Sequence, residues 1–295
     1  MSQVLQFIFS GITVGSIYAI VAIGFNIIYS TTGVINFAQG EFVMLGGMVA
    51  VSLMRVLPLP LAVVGAVVIV MAIGVLLETV FFRRLHRPTV LQMIIITIGL
   101  SIVIQEGALH LWDEQVRSLP YFTGNEVSSL HILGASLSPQ VLWVLGALGL
   151  TVVGLNLYFH YTITGKAMRA CASNREAALL MGIDATLMRT LAFALSAGLG
   201  ALAGCVMSPI TMTHYEMGTG LAVKGFAAAI LGGLGNQSGA LFAGLAVGLA
   251  ESFSVAVLPS AYKDAVAFAI LIVVLFVRPH GLFGSAEVGT SSREF

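Results

Sequence analysis

The 295-residue chain carries 13 basic and 13 acidic side chains, and 58% of its residues are hydrophobic. Charged residues make up 9% of the chain, against about 25% in an ordinary soluble domain, which excludes a soluble globule of this size. Disorder requires low hydrophobicity, and membrane β-strands alternate apolar and polar residues; neither pattern is present. The zero net charge gives no electrostatic footprint for nucleic acid. The composition therefore predicts an all-α, polytopic, integral membrane helical bundle.

Nine apolar stretches follow one another, and most are long enough to cross the bilayer core, which takes about 20 residues. They are 4–29, 34–54, 60–80, 90–111, 140–160, 188–208, 220–235, 239–258 and 264–278. Three leave alternatives open. The stretch 34–54 begins with polar residues and glycine, whereas 220–235 and 264–278 are short enough to be half-spans or re-entrant segments. We expect eight or nine transmembrane segments in one domain covering residues 1–295.

The distribution of Lys and Arg predicts an orientation, because cytoplasmic loops of membrane proteins are enriched in positive charge. One alternating path places nine basic residues inside: Arg83, Arg84, Arg87, Lys166, Arg169, Arg175, Arg189, Arg278 and Arg293. It leaves four on or near the other side: Arg55, Arg117, Lys224 and Lys263. The N-terminus is then outside and the C-terminus inside. Residues 112–139 become an external loop with an alternating stretch that favours a hairpin, and residues 161–187 become a cytoplasmic loop.

The cytoplasmic loop contains the stretch GKAMRACASNREAALLMGID, which favours a short helix. Ser173 is placed to cap a helix whose first turn contains Glu176, as in a capping box. Ala177 and Ala178 continue this helix, and Gly182 is suited to end it. The sequence predicts a short amphipathic helix facing the cytosol. Physical reasoning alone leaves open whether it rests on the membrane surface or docks on another protein.

Polar groups inside apolar stretches are candidates for a solute pathway, because their burial in hydrocarbon is costly. The second stretch begins with three such side chains, Asn36, Gln39 and Glu41, and Gly40 among them is a further candidate for the pathway. A helix that starts here directs backbone N–H groups at a substrate carboxylate, and Glu41 can face an ammonium. Alternatively, Asn36 and Gln39 satisfy the broken backbone while Glu41 lies at the interface. Glu251 either lines the pathway or bonds to a neighbouring helix.

Glycine is abundant, with 33 residues in the chain, and many glycines stand at small-xxx-small spacing, which allows helices to pack backbone to backbone. The candidates for helix packing near the C-terminus are Gly232, Gly233, Gly235, Gly239 and Gly244. Close packing is the simple interpretation. The alternative is a helix interface that shifts as the protein alternates between inward- and outward-open states.

Three motifs resemble those of a known family. Glu176-Ala177-Ala178 followed by Gly182 matches the E-A-A-x-x-x-G pattern of ABC importer permeases. The segment GVINFAQGEF, followed by LGG, resembles the N-terminal signature of LivH-type branched-chain amino-acid permeases, and LGGLGNQSGA resembles their C-terminal glycine-rich signature. The motifs occur in the right order and cover most of the chain, which is therefore identified as similar to this family.

The resemblance implies a permease subunit of an ATP-driven importer for branched-chain or related small amino acids in the bacterial inner membrane. It implies a coupling helix, docked on an ATPase, that includes Arg175, Glu176, Ala177, Ala178 and Gly182. The implied partners are a second homologous permease, two cytoplasmic ATPases, membrane lipid and a solute-binding protein that delivers substrate near the external loop. Related permeases are associated with amides, urea or other amino acids, so those substrates remain alternatives.

We expect neither catalytic nor metal-binding residues in this chain. It contains no G-x-x-x-x-G-K-[ST], no His-Glu-x-x-His and no G-x-S-x-G, so ATP is expected to be bound and hydrolysed by partner subunits, with no cofactor held here. A stand-alone secondary transporter or channel is the other alternative. It requires an ion-coupling site within the membrane, for which Glu41 and Glu251 are the candidates.

Overall fold

The computed structural model describes residues 2–85, 89–125, 127–132, 135–256, 259, 262–278 and 281–283. These residues form eleven α-helices: α1 (Ser2–Thr32), α2 (Gln39–Leu53), α3 (Leu59–Leu77), α4 (Val90–Trp112), α5 (Gln140–Tyr161), α6 (Ile163–Ser173), α7 (Arg175–Leu180), α8 (Ala185–Thr211), α9 (Met217–Gly232), α10 (Gln237–Ser254) and α11 (Lys263–Val277). A π-helical turn, Glu78–Phe82, extends α3. Strands β1 (Leu130–Ile132) and β2 (Ala135–Leu137) pair antiparallel.

The prediction of a polytopic helical membrane protein is confirmed, since each of the nine apolar stretches contains one of these helices. Five helices are long and apolar enough to cross a membrane: Gln3–Thr32, Leu59–Phe82, Val90–Trp112, Gln140–Tyr161 and Ala185–Thr211. Helices α2, α9 and α11 have only 15, 16 and 15 residues, which agrees with the three stretches singled out as uncertain. The total of eight or nine spans and the orientation stay predictions, and Arg87 and Arg293, used for the latter, lie outside the described residues.

Helix α2 begins in the middle of the bundle. Its first residue, Gln39, donates through Nε2 to the carbonyl of Ser196 at 3.1 Å, and Ser196 lies about 17 Å along α8 at 1.5 Å per residue. The two helices run parallel, because Gly46 of α2 packs directly on Ala201 further along α8. The chain therefore re-enters after α1, and α2 runs from mid-bundle toward the end where α8 finishes.

Helix α9 begins beside the start of α2 and runs the opposite way. Gly218, in its first turn, contacts Gly40 backbone to backbone. Further along α9, Gly225 packs on Val21 of α1, and the following turn bonds to Asn26 of α1. Because α1 is antiparallel to α8, α9 is antiparallel to α2. The two short helices thus start together inside the protein and diverge toward its two ends.

Glycines allow these helices to approach at backbone distance. A side chain on Gly204 of α8 would overlap the carbonyl of Val43 in α2, and one on Gly244 of α10 would overlap Ala19 in α1. Gly232 and Gly239 likewise meet face to face where α9 turns into α10. Such small-residue contacts replace the hydrophobic driving force that is missing between helices in lipid. Movement at this interface stays a prediction.

Gly233 and Gly235 were predicted to pack helices together, but the structure places neither of them within a helix. Both lie in the turn between α9 and α10, with φ angles of +91° and +86°, a left-handed backbone that glycine adopts without steric cost. Their role in the fold is to reverse the chain. The linear small-residue spacing did not distinguish a turn from a helix interface.

The predicted external loop contains the predicted hairpin, formed by β1 and β2. Gln6 of α1 brackets β2 by donating to the carbonyl of Ser136 at 3.0 Å and accepting from its N–H at 3.2 Å. At the base of the loop, Trp112 donates its indole N–H to the hydroxyl of Ser52 at 2.6 Å. The loop is thereby tied to the ends of α1 and α2.

Candidate functional site

The first candidate site is the coupling segment, defined here as residues 161–187. Thr162 caps α6 by accepting from the N–H of Gly165 at 3.0 Å, and α6 continues through Ser173. The cap of α7 is Asn174, whose Oδ1 accepts from the N–H of Ala177 at 2.9 Å. The prediction of Ser173 as the cap is therefore wrong by one residue, because α6 includes Ser173 and the backbone becomes extended only at Asn174.

Gly182 ends α7 as predicted. It has a φ angle of +80°, its N–H bonds to the carbonyl of Leu179, and the N–H of Ile183 bonds to that of Ala178, each at 3.0 Å. This pair of bonds is a Schellman motif. Asp184 then caps α8 directly, accepting from two backbone N–H groups. Helix α7 is thus a short rigid element with defined ends on both sides.

The outer face of α7 is an exposed, partly apolar patch and is the candidate docking patch. Leu180 and Met181 are 89% and 82% exposed, and Arg175 and Glu176 are exposed beside them. Ala178 faces the other way and is buried. The motif located this helix, but it did not indicate that large apolar residues at its end are the exposed ones. Consecutive large apolar residues, Leu180 and Met181, within an otherwise polar loop are the sequence signal that could have predicted an exposed apolar patch.

The second candidate site surrounds Glu41, whose side chain is fully buried. Its Oε1 accepts from the hydroxyl of Ser101 in α4 at 2.9 Å and from that of Thr219 in α9 at 3.4 Å. A side chain on Gly218 would collide with Oε2, which has no hydrogen-bond partner among the described residues. The carboxylate lies by the first turns of both α2 and α9, whose positive dipole ends favour a negative charge.

The residues predicted alongside Glu41 divide between two roles. Asn36 accepts from the N–H of Ala38 at 3.2 Å and so satisfies the broken backbone. Gln39 instead bonds to the hydroxyl and carbonyl of Ser196 and ties α2 to α8. Gly40 provides the contact with α9. The structure therefore brings these neighbours together at the mid-bundle start of α2, and it places Glu41 inside the protein rather than at its surface.

The third candidate, Glu251 of α10, belongs to a buried cluster. Its Oε2 accepts from the hydroxyl of Tyr18 at 2.8 Å, and its Oε1 accepts from Nζ of Lys224 at 2.9 Å. Lys224 also donates to the Tyr18 oxygen at 3.0 Å. The count of Lys and Arg on the two sides of the membrane placed Lys224 on or near the external side. The structure places it midway along α9. A single lysine within an apolar helix was the signal for a buried partner.

A large open cavity connects the coupling segment with the turn that follows α9. It encloses about 1640 Å³, and its lining includes Arg169, Glu176 and Asn236. Asn26 of α1 holds the turn in place, accepting from the N–H of Gly235 at 3.2 Å and donating to the carbonyl of Asn236 at 2.9 Å. Because Gly33 and Ile35 also line it, all three sequence motifs border this one cavity.

Comparison with known proteins gives a family match over nearly the whole chain. Residues 7–275 match the family model described as "Branched-chain amino acid transport system / permease component". The chain is 34% identical to the high-affinity branched-chain amino acid transport system permease protein LivH of Escherichia coli K12, covering 96% of each chain. It is also 34% identical to the corresponding protein BraD of Pseudomonas aeruginosa, covering 96% of this chain and 97% of BraD.

One solved structure, PsaBC from Streptococcus pneumoniae in complex with Fab, is similar with a TM-score of 0.45 and 13% identity. The similarity covers 95% of this chain and 91% of that one.

The buried cluster predicts a strong and asymmetric effect on stability. Lys224→Met leaves the Glu251 carboxylate buried without its cation, and breaking a buried pair in this way costs about 3–5 kcal/mol. Lys224→Met combined with Glu251→Leu removes both charges and should recover most of that loss. The thermal unfolding midpoint of the purified chain in detergent measures both. Equal midpoints for the single and double variants would contradict this account of the cluster.

Proposed function

The chain belongs to the family of branched-chain amino acid transport system permease components, and from this premise we propose that it is the membrane-spanning subunit of an ATP-driven ABC importer. Its cargo is a branched-chain or related small amino acid, moved across the cytoplasmic membrane. The observation that carries the proposal is α7, a six-residue helix capped at both ends that presents an exposed apolar patch at one end of the bundle. The family is a transport component and not an enzyme.

The coupling segment supports a route for mechanical coupling. A partner ATPase that docks on Leu180, Met181 and the neighbouring charges moves α7 when it closes on ATP. Because Ala178 is buried and only a tight turn separates α7 from the Asp184 cap, the motion passes directly to α8. Helix α8 packs closely on α2 through Gly204, so the displacement reaches the mid-bundle start of α2.

The proposed translocation pathway passes the junction of α2 and α9, where Asn36, Gln39, Gly40 and Glu41 lie. Glu41 is fully buried in this conformation, so its carboxylate meets an incoming ammonium only when α9 moves away from α2. The contact between Gly40 and Gly218 contains no side chains, so no side chain has to change rotamer at that point when the two helices separate. Glu251, neutralised by Lys224 in this conformation, is the second pathway candidate.

The proposed assembly contains a second homologous permease, two ATPase subunits and a solute-binding protein. The binding protein docks at the external loop, residues 112–139, and lipid covers the exposed apolar side chains of α3 and α4, such as Val68 and Val103. ATP is bound by the ATPase subunits, and this chain holds no cofactor. Selectivity among amino acids then lies largely with the binding protein.

Reconstitution tests the proposal directly. We expect the chain, assembled with its partner permease and ATPases in liposomes, to move radiolabelled leucine only with ATP and the binding protein present. Transport of urea or an amide instead of leucine would show that the proposed substrate is wrong. Transport by the purified chain alone, driven by an ion gradient without ATP, would contradict the ABC importer proposal and favour a secondary transporter.

Charge reversal on the docking patch should uncouple the ATPase. Glu176→Lys changes an exposed side chain without a packing role, so the protein should still insert and fold, while co-purification of the ATPase subunits and uptake both fall steeply. Glu114→Lys, an equally exposed reversal in the external loop, is the matched control and should retain the ATPase. Normal ATPase binding by the Glu176 variant would remove the role assigned to α7.

Glu41→Gln tests the pathway assignment. Gln keeps the size of the side chain and an oxygen for the Ser101 and Thr219 hydroxyls, but it removes the charge that would face an ammonium. Uptake should fall while assembly and stimulation of the ATPase by the binding protein persist. Glu106→Gln, an exposed carboxylate on α4, should transport normally. Unchanged uptake kinetics in the Glu41 variant would assign Glu41 a structural role.

A further inference from the structure

A second, smaller cavity lies at the end of the bundle that carries α7. It encloses about 310 Å³ between α1, α4, α7 and α8, a volume at the lower end of small-molecule sites. Asn36 and Arg175 on its walls also belong to the proposed pathway and to the outer face of α7, but the function proposed above gives the cavity itself no role. One wall is polar and positively charged, and the other is apolar.

The polar wall combines two guanidinium groups with a buried amide. Arg175, at the start of α7, and Arg189, in α8, both line the cavity, and so does Asn36. Asn36 as a residue is only 2% exposed, and its Nδ2 has no hydrogen-bond partner among the described residues. A buried donor without a partner is costly. A ligand oxygen in the cavity would satisfy it.

The charges on this wall do not cancel. Glu78, fully buried, accepts from Nε of Arg189 and from the hydroxyl of Thr190, each at 2.7 Å, which neutralises one guanidinium. Arg175 forms no ion pair with the described residues. The wall therefore keeps one net positive charge, in a geometry of planar donors that suits a carboxylate.

The opposite wall of the cavity determines which apolar part the ligand can have. Ile28, Val34, Met93 and Phe193 line it with apolar surface, which excludes a ligand that is charged throughout. Between the two walls, Thr31 and Thr32 belong to the last turn of α1. The end of a helix carries the negative pole of the dipole, and it favours an ammonium there.

We propose that this cavity binds the zwitterion of a small aliphatic amino acid from the side of the membrane that carries α7. Its carboxylate lies between Arg175, Arg189 and Asn36, its ammonium lies against the end of α1, and its side chain lies on the apolar wall. The identity of this ligand with the cargo rests on the proposed function.

The position of the cavity gives such binding a consequence for transport. The ligand bridges Arg175, which moves with α7, to Asn36 and the ends of α1 and α8. It thereby clamps the docking helix to the spans that it has to displace. A ligand that binds one conformation preferentially slows any cycle that must leave it. Accumulated product inside the cell therefore inhibits further import.

Two measurements on the assembled transporter test this site. The first is equilibrium binding of radiolabelled L-leucine to the complex without its binding protein, where saturable binding is expected. The second is ATPase activity in nanodiscs, with the binding protein already saturated, as free L-leucine is raised further. We expect the ATPase rate to fall as the site fills, with half of the loss reached at the leucine concentration that half-saturates binding.

Matched substitutions on α4 connect both readouts to the cavity. Met93→Trp fills the cavity, so leucine binding and inhibition should both be lost while stimulation by the binding protein remains. Ile95→Trp adds the same ring at an exposed position two residues along and should behave as the native protein does. Equal inhibition in the two variants, or no saturable binding to the native complex, would overturn the site.

Ligand analogues separate the amino-acid site from a general anion site. Isoamylamine, which lacks the carboxylate, should not compete with L-leucine, and inorganic phosphate should compete poorly because it has no apolar part. Strong competition by phosphate would overturn the assignment to an amino acid. These outcomes do not depend on uptake. If the complex imports leucine but does not bind it in this way, only the proposed cavity site is refuted. If it binds leucine here but imports another solute, only the proposed cargo is refuted.

Discussion

The meeting of α2 and α9 inside the bundle is the constraint on which the rest of the structure depends. A helix that begins in the hydrocarbon region leaves N–H groups that no water can satisfy, so irregular backbone survives there only inside protein. The chain meets this need with Asn36, which bonds to the backbone before α2, and with glycine at the contact between the two helices. Because Gly40 and Gly218 have no side chains, the two helix starts approach closely enough to hold the Glu41 carboxylate between them.

Around this junction, buried charge is matched within the protein wherever helices must hold a set position. Glu251 with Lys224 joins α10 to α9, and Glu78 with Arg189 joins the π-helical turn after α3 to α8. A buried pair contributes little net stability because desolvation offsets its attraction, but the loss of either member is severe. Such pairs define which helix faces which. The carboxylate of Glu41 differs from them, since its partners are hydroxyl groups and helix ends, which do not neutralise it.

Local patterns predicted the parts of the candidate sites that depend on neighbours in the chain. The α7 motif, its glycine stop and the polar start of α2 were all found, because each is set by bonds between residues a few positions apart. The cap of α7 was misplaced because Ser173 and Asn174 are both good caps, and the choice between them depended on how far α6 extends. The partners of Glu251 escaped prediction because Tyr18 lies 233 residues away along the chain.

The sequence by itself determined that this is a helical membrane protein with a short, exposed helix between two spans, because hydropathy, helix periodicity and short motifs act over a single turn or a single span. Only the tertiary structure decided at what depth in the bundle α2 and α9 begin, which charges are paired, and that Arg175, Arg189 and Asn36 line one cavity. Each of these depends on the depth at which separate helices pack. That depth is set by backbone contacts at glycines, and spacing along the chain does not encode it.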